Sequence, residues 1–273
     1  MGAVAPLREG GPAPDSLHAD RRPRALLPGE RAARRLAGVQ RQPPARRRND
    51  RDHHPSHVDP GHLRAHVADL LPVVLALQQQ HPDRIRGYVT VNPNHTGHAL
   101  AEIERGRTAG MIGVKLAASR RANDPLLDPI CEAAGRHGLP ILHHIWQHRR
   151  RDWPGQEASD AAELCALAAR HPAVTFILAH IGGGGDWLHS LPVLTARSNV
   201  YVDLSGSGVD GGMLEACIDA VGVDRLLWGT DMTMETGWAK LRYLTHLLSA
   251  EALGRVMWKN AARIFPPHSF PTD

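Results

Sequence analysis

Five charged or imidazole side chains stand at or near the ends of successive apolar runs in this sequence. They are Lys115, His144, His180, Asp203 and Asp231, and they lie 29, 36, 23 and 28 residues apart. Each interval is about the length of one strand–helix unit. Parallel strands that close into a barrel bring their carboxyl ends to one mouth, where the catalytic groups of this architecture lie. We therefore expect the five side chains to share a site, although a single histidine at a strand end is more often structural.

Two histidines and an aspartate in this set have the chemistry of a metal centre. Imidazole nitrogens and a carboxylate are the ligands of catalytic zinc and similar divalent ions, so His144, His180 and Asp231 are the predicted metal ligands. A bound ion would bring the pKa of its water from about 16 toward about 7. An imidazole and a carboxylate beside that water would move its protons, which makes His180 and Asp231 the predicted catalytic residues.

The histidine that precedes His144 competes with it for the ligand position. Neighbouring residues on a strand face opposite sides of the sheet, so only one of His143 and His144 can point into a common mouth. The sequence favours His144, because it stands at the extremity of the run PILHH.

A run of four glycines, residues 182–185, begins two residues after His180. Glycine keeps the space above a strand end open and exposes backbone N–H groups to an anionic ligand. We interpret the run as a device that keeps side chains out of the way of a substrate. The alternative is a loop that contacts no ligand.

Charged and aromatic side chains near the expected mouth are candidates for binding a small anionic substrate. The segment IWQHRRRDWPGQEASD, residues 145–160, is long for a connection between a strand and a helix, and it carries Arg149 and Arg150 between two tryptophans. Arginine pairs with carboxylates, and loops at this end of a barrel usually determine substrate choice. A solvated run of charge is the alternative for the arginines. The other predicted substrate-binding residues are Lys115, Trp187 and Asp203.

Alternating apolar runs and Ala/Leu-rich segments must position these side chains. Strands are predicted within IRGYVTVN, MIGVKL, PILHH, VTFILAH, VYVDLSG and RLLWGTD, and helices within residues 62–80, 124–138, 158–172 and 211–222. Strands that alternate with helices form a parallel sheet, and continuous apolar strands are typical of a sheet that is buried on both faces. Gly138 is a predicted helix stop.

The first quarter of the chain differs in kind from the rest. Residues 1–66 hold 13 arginines against 7 acidic residues, and isoleucine, tryptophan, tyrosine and phenylalanine are absent before Arg84. With little β-branched bulk and no aromatic bulk, such a segment does not readily form buried strands. We predict an atypical segment over residues 1–60, either disordered or translated from a shifted reading frame, in place of the first strands, and a barrel domain over residues 61–273.

The composition excludes several classes of protein. No apolar run reaches the length of a membrane span, and the N-terminus lacks the pattern of a secretory signal. The three cysteines lie far apart in helical stretches, which favours buried thiols and a cytoplasmic location. Beyond residue 66 the chain is close to neutral, so nothing indicates a nucleic-acid partner.

Six motifs in order carry a resemblance to a known family: GMIGVKL, GLPILHH, HPAVTFILAHIGGGG, NVYVDLSG, DRLLWGTDM and NAARIF. They resemble the amidohydrolase-related family of metal-dependent TIM-barrel enzymes, in the branch that includes aminocarboxymuconate semialdehyde decarboxylase. The resemblance covers about residues 84–266 and implies a (β/α)8 barrel with a divalent metal ion, usually zinc. It also implies His144 and Asp231 as ligands at the ends of the fifth and eighth strands and His180, ending the sixth, as a catalytic or metal-linked histidine. Relatives in this family suggest a homodimer.

One part of the family's pattern is missing. Its first strand carries a His-x-His pair that supplies two metal ligands, and this sequence contains no His-x-His. The histidines and aspartates of residues 15–20 and 52–59 do not follow an apolar strand, so they are poor substitutes. Three functions stay open: a metal-dependent hydrolase that uses a metal-activated water on a small carboxylated or cyclic substrate, a non-oxidative decarboxylase of the same family, and a catalytically defective relative.

Overall fold

The computed structural model describes residues 71–117, 119–145, 159–182, 187–231 and 234–270. The strands are β1 (Tyr88–Val91), β2 (Gly113–Leu116), β3 (Ile141–His144), β4 (Phe176–Ala179), β5 (Val200–Asp203) and β6 (Leu226–Leu227). The helices are α1 (71–80), α2 (Thr96–Thr108), α3 (Asp128–Arg136), α4 (Ala161–Arg170), α5 (Trp187–Leu194), α6 (Met213–Val221), α7 (Met234–Leu247), α8 (Ala250–Gly254) and α9 (Asn260–Ile264).

The six strands form one parallel sheet in which every strand lies beside its neighbours in the sequence. The order is β1-β2-β3-β4-β5-β6, and each of the five pairs is parallel. One helix or more lies in every connection between strands, as a parallel pair requires. Sequential order with intervening helices is the arrangement of a (β/α) barrel.

The register of the strands divides their side chains between two faces of the sheet. Thr90 pairs with Lys115 and Lys115 with Leu142, so these residues share one face. His144 follows Leu142 by two positions and therefore lies on the same face. The opposite face is apolar and is buried against the helices, with Val89, Val91, Val114, Leu116, Ile141, Phe176, Leu178, Val200 and Val202.

The predicted elements correspond closely to the observed ones. Each of the six predicted strand segments contains an observed strand, and α1, α3, α4 and α6 lie within the predicted helical segments. Gly138 follows α3 with a φ of 62°, a left-handed conformation that suits a helix stop. Residues 62–70 and the predicted boundary between residues 60 and 61 lie outside the described residues, so that division of the chain stays a prediction.

The last strand is held by side-chain contacts from the helix that begins at Asn260, in the motif NAARIF. Asn260 is fully buried, and its Nδ2 donates to the carbonyl oxygens of Val223 at 2.7 Å and Leu226 at 2.8 Å. The backbone N–H of Trp228 donates to the Val256 carbonyl at 3.1 Å. A strand of two residues has few ladder bonds of its own, so these contacts fix the segment that leads to Asp231.

The cysteines and helices agree with two further predictions. Cys131, Cys165 and Cys217 are free thiols, all buried, and burial raises the pKa of Cys131 and Cys217 to about 12. Among the described residues, no helix is long and apolar enough to cross a membrane.

Helix α2 packs closely on β1 at Gly106. A Cβ atom on Gly106 would overlap the side chain of Val89. Gly106→Ala should therefore destabilise the fold by about 1–3 kcal/mol, because overpacking outweighs the better helix propensity of alanine. Urea unfolding measures the change in free energy.

Gly97 provides the matched control in the first turn of the same helix, since a Cβ atom there meets nothing within 4 Å. Gly97→Ala should be neutral or stabilise by up to about 1 kcal/mol. Equal effects of the two substitutions would contradict the close packing of α2 on β1.

Candidate active site

Two residues of the candidate site have strained backbones. His180, directly after β4, has a φ of 69°, and Asp231, four residues after β6, has a φ of 49°. Among the described residues these are the only non-glycine residues with positive φ. Such conformations cost about 1–3 kcal/mol each, and they cluster at functional sites where the surrounding structure enforces them.

The imidazole of His180 is held on one side by two oxygen atoms. Its Nδ1 lies 2.9 Å from Oγ of Ser205 and 3.2 Å from Oδ2 of Asp231. The Ser205 hydroxyl donates its only proton to the carboxylate of Asp203, so its oxygen accepts from His180. Both neighbours of Nδ1 are therefore acceptors, and Nδ1 carries the proton. In the neutral ring the lone pair then resides on Nε2.

Asp203 holds both the backbone N–H and the side-chain hydroxyl of Ser205. The carboxylate of Asp203 accepts from the backbone N–H of Ser205 at 3.0 Å and from the backbone N–H of His180 at 3.4 Å. The end of β5 is thereby tied to the end of β4, and one carboxylate aligns the hydroxyl that faces the imidazole.

His144 lies beside His180, and His143 faces the other way. The ring centroids of His144 and His180 are 4.9 Å apart, with an angle of 64° between the planes. His143 lies on the helix side of the sheet, fully buried, with Nδ1 2.9 Å from the His144 carbonyl oxygen. Its Nε2 is buried with no hydrogen-bond partner among the described residues, and burial lowers its pKa to about 4. This placement favours His144 over His143 as the residue of the mouth.

The electrostatics of the site reflect burial opposed by nearby carboxylates. Burial lowers the pKa of Lys115, while Asp203 and Asp231 act to raise it. Burial also lowers the pKa of His180, again against the two aspartates. Lys115 therefore stands close enough to both carboxylates, and to His180, for their charges to interact.

The segments after β4 and β5 are pressed together beneath this cluster. The Gly182 N–H donates to the Ser205 carbonyl at 3.2 Å, and the Gly208 N–H donates to the Gly182 carbonyl at 2.6 Å. Lys240, on α7, is fully buried here and donates from Nζ to the carbonyl of Gly206 at 2.7 Å. The remaining glycines of the run, 183–185, lie outside the described residues.

Among the predicted substrate-binding residues, the structure describes Trp187 but not the two arginines. Trp187 begins α5, packs partly against the core, and donates from its indole Nε1 to Oδ2 of Asp210 at 3.0 Å. Arg149 and Arg150 lie outside the described residues, so their role stays a prediction.

Sequence reasoning missed Lys240 and Asp210. The signal for Lys240 was its rarity: lysine occurs at just three positions in the sequence. Asp210 follows the apolar run of β5 by seven residues and carries no spacing signal, because a loop conformation alone brings it to Trp187.

The described residues do not complete a metal centre. His144, His180 and Asp231 lie near one another, yet among the described residues no group of three His, Cys, Asp or Glu side chains is arranged to hold an ion. The carboxylate of Asp231 faces the protonated Nδ1 of His180, which is how an orienting carboxylate contacts a histidine. The described residues alone therefore give an incomplete ligand set for an ion.

Comparison with known proteins decides the family. A family model described as Amidohydrolase matches residues 5–266, nearly the whole chain. The chain belongs to the amidohydrolase family. No curated protein matches the sequence.

Solved structures of this family share the fold. The chain is similar to 5-carboxyvanillate decarboxylase from Sphingomonas paucimobilis, at 20% identity over 74% of this chain and 72% of that one, with a TM-score of 0.59. It is also similar to 2,6-dihydroxybenzoate decarboxylase from Rhizobium, at 16% identity over 74% and 78%, with a TM-score of 0.58. A third is 5-carboxyvanillate decarboxylase from Novosphingobium aromaticivorans, complexed with manganese and 4-hydroxy-3-methoxy-5-nitrobenzoic acid, at 18% identity over 75% and 71%, with a TM-score of 0.57. With its family, these similarities establish an α/β TIM-barrel fold.

Removing the hydroxyl of Ser205 should be costly because it is bonded on both sides. Ser205→Ala should destabilise the amidohydrolase-family fold by about 1–3 kcal/mol, since it takes a partner from the half-buried imidazole N–H of His180 and from the half-buried carboxylate of Asp203. Urea unfolding of the purified chain measures the loss.

Ser269 serves as the control, because its buried Oγ has no hydrogen-bond partner among the described residues. Ser269→Ala should be neutral or slightly stabilising. If both alanine variants lost the same free energy, the His180–Ser205–Asp203 contacts would not be supporting the site.

Proposed function

We propose that the chain is a non-oxidative decarboxylase of a small aromatic carboxylate. The observation that carries this function is the imidazole–carboxylate pair of His180 and Asp231, 3.2 Å apart, within electrostatic range of the half-buried ammonium of Lys115. An anion-binding cation next to a proton-transfer pair is what protonation of an electron-rich ring requires. Two similar solved structures are those of aromatic carboxylate decarboxylases, which favours this reaction over hydrolysis.

Lys115 would bind the anionic end of the substrate in this function. It lies on the same face of the sheet as His144, and it is one of only three lysines in the chain. A buried ammonium attracts a carboxylate or phenolate more strongly than an exposed one, because less water competes for it. Arg149 and Arg150 would add charge at the rim, Trp187 would supply an aromatic wall, and Asp203 would select against a second carboxylate.

His180 would deliver the proton that replaces carbon dioxide. Its Nδ1 proton is committed to Ser205 and Asp231, so the mobile proton is the one on Nε2 of the imidazolium. Transfer from Nε2 forms a C–H bond at the ring carbon that bears the carboxylate. The bond from that carbon to the carboxylate then breaks, its electron pair returns to the ring, carbon dioxide leaves, and solvent reprotonates His180.

The negative charge of Asp231 supports this step. An imidazolium beside a carboxylate at 3.2 Å is stabilised relative to one in an apolar pocket, which offsets the burial that lowers the pKa of His180. Asp231 also holds the ring in one orientation, so that Nε2 keeps a constant direction toward the substrate.

A divalent metal ion belongs to this function through the family. One similar structure is complexed with manganese, and the sequence motifs suggest zinc. When bound, such an ion would polarise the oxygen atoms of the substrate. His144 and Asp231 are the described side chains that would contribute to it, because both ring nitrogens of His180 carry protons in the step above. A complete site needs further ligands from outside the described residues.

Decarboxylation in heavy water provides a direct test. With a panel of hydroxylated benzoates and cyclic carboxylates, the purified chain should release carbon dioxide and place deuterium on the carbon that carried the carboxylate. His180→Gln and Asp231→Asn should each lower kcat by about 100- to 10,000-fold, the range for loss of a proton-transfer group. Mass spectrometry of the product and a coupled carbon dioxide assay measure both effects.

His98→Gln is the matched control, since that histidine is 62% exposed on α2 and should leave the rate unchanged. Release of an alcohol or amine without carbon dioxide would instead identify a hydrolase. An inactive chain across the whole panel would identify a relative that keeps the barrel without this chemistry.

Metal content separates the functional enzyme from such a relative. Elemental analysis of the purified chain should give about one divalent ion per chain, as a mononuclear catalytic site would. Asp231→Asn and His144→Gln should each lower the retained metal. Absence of metal after reconstitution with zinc or manganese would contradict a metal-dependent reaction.

A further inference from the structure

Lysine is rare in this chain and is concentrated at the site. All but three of the 32 Lys and Arg residues are arginines, and the exceptions are Lys115, Lys240 and Lys259. Lys259 is exposed, whereas Lys115 is half-buried and Lys240 is fully buried. Lys115 and Lys240 therefore both lie where the charges of nearby carboxylates act on them, although nearly all other basic residues of the chain are arginines.

Lys240 reaches from α7 to the carbonyl of Gly206. Its Nζ donates to that oxygen at 2.7 Å, and Thr236, one turn earlier on the helix, donates to the same oxygen at 3.4 Å. A Cβ atom on Gly182 would lie 2.6 Å from Nζ. The ammonium fills this space together with the carbonyl oxygens of Ser205 and Gly208, each 3.1 Å from the same position.

The group that Lys240 holds is adjacent in the chain to Ser205. The Ser205 carbonyl accepts from the Gly182 N–H at 3.2 Å, and the Gly182 carbonyl accepts from the Gly208 N–H at 2.6 Å. Lys240 thus fixes Gly206, which lies in the chain between Ser205 and Gly208, the two residues that bond to Gly182. A shift of Gly206 would move the Ser205 hydroxyl, which lies 2.9 Å from Nδ1 of His180.

The shape of the ammonium matters as well as its charge. Asp203, Asp210 and Asp231 act on Lys240 to raise its pKa, against the burial that lowers it. An ammonium is a compact point charge on a flexible stem, while a guanidinium is a wide planar fork. Since Nζ lies 2.6 Å from the position that a Cβ atom on Gly182 would take, we expect the wider guanidinium to fit less well there.

We propose that Lys240 is a positioning residue for His180: its buried ammonium fixes the Gly206 carbonyl against Gly182, and thereby holds the Ser205 hydroxyl at the imidazole. The effect on turnover rests on the proposed decarboxylase function. The geometric effect does not, and it is measured on the purified chain without substrate.

The test compares Lys240→Met, Lys240→Arg and the control Lys259→Met. Lys240→Met keeps the length of the side chain and removes the ammonium, while Lys240→Arg keeps the charge and changes the shape. Backbone amide exchange at Gly182 and Gly208 should accelerate by about tenfold or more in both Lys240 variants, because their acceptors lose support. Crystal structures should show the distance from His180 Nδ1 to Ser205 Oγ lengthened beyond hydrogen-bonding reach. Lys259→Met should change neither.

Kinetics then decide whether Lys240 acts through Ser205. Lys240→Met should lower kcat by about tenfold and leave KM within about twofold, because Lys240 does not touch the substrate. In a double-mutant cycle, Lys240→Met should add little to the loss already caused by Ser205→Ala, since both remove the same contact. Additive losses in kcat would overturn the positioning role and leave Lys240 with a structural one.

A milder variant covers the case in which Lys240→Met does not fold. Thr236→Val removes the second donor to the Gly206 carbonyl and should accelerate exchange at Gly182 and Gly208 in the same direction, by a smaller factor. Unchanged exchange together with an unchanged distance from His180 to Ser205 would overturn the inference. If the wild-type chain released no carbon dioxide, the proposed function would fail, and the exchange and crystallographic results would still decide the role of Lys240.

Discussion

The proton on Nδ1 of His180 faces two acceptors, and the arrangement of the whole mouth depends on it. Ser205 gives its own proton to Asp203 and therefore accepts from the ring, while the Asp231 carboxylate lies 3.2 Å away on the same side. This double contact fixes both the orientation and the tautomer of the imidazole. It also explains why strained backbone at His180 and Asp231 is tolerated, since each contact returns some of the free energy that the positive φ angles cost.

Three carboxylates and two lysines lie close together in this region, and their charges oppose the cost of burial. Asp203, Asp210 and Asp231 act to raise the pKa of Lys240, and two of them do so for Lys115. The fully buried ammonium of Lys240 would not be stable there alone, because an unpaired buried ion costs several kcal/mol. A partly dehydrated ammonium balanced in this way is suited to exchange one of its carboxylate neighbours for an anionic substrate.

The rigid parts of the molecule lie behind the site. The apolar face of the sheet packs on the helices, with Gly106 allowing α2 to approach β1, and Asn260 holds the two-residue strand β6 through backbone carbonyls. This packing fixes the strands, and the strands fix the positions of His144 and Asp203 at their ends. Ser205, Asp210 and Gly182 lie in loops, whose positions depend on contacts between the loops.

The sequence alone determined the strands and their parallel order, because continuous apolar runs and the polar residues that follow them are local patterns. His144 and Asp203 end their strands as predicted, whereas β2 ends at Leu116, one residue beyond Lys115, and His180 and Asp231 follow β4 and β6 by one and four residues. The sequence also favoured His144 over His143, since alternation along a strand follows from the pleat. Only the tertiary structure decided that Asp231 faces His180, that Trp187 bonds to Asp210 and that Lys240 bonds to the carbonyl of Gly206. Those contacts join residues from different loops and helices, and no local periodicity records how loops fold against each other. Spacing in the sequence identifies the groups that reach the mouth, and packing sets the distances between them.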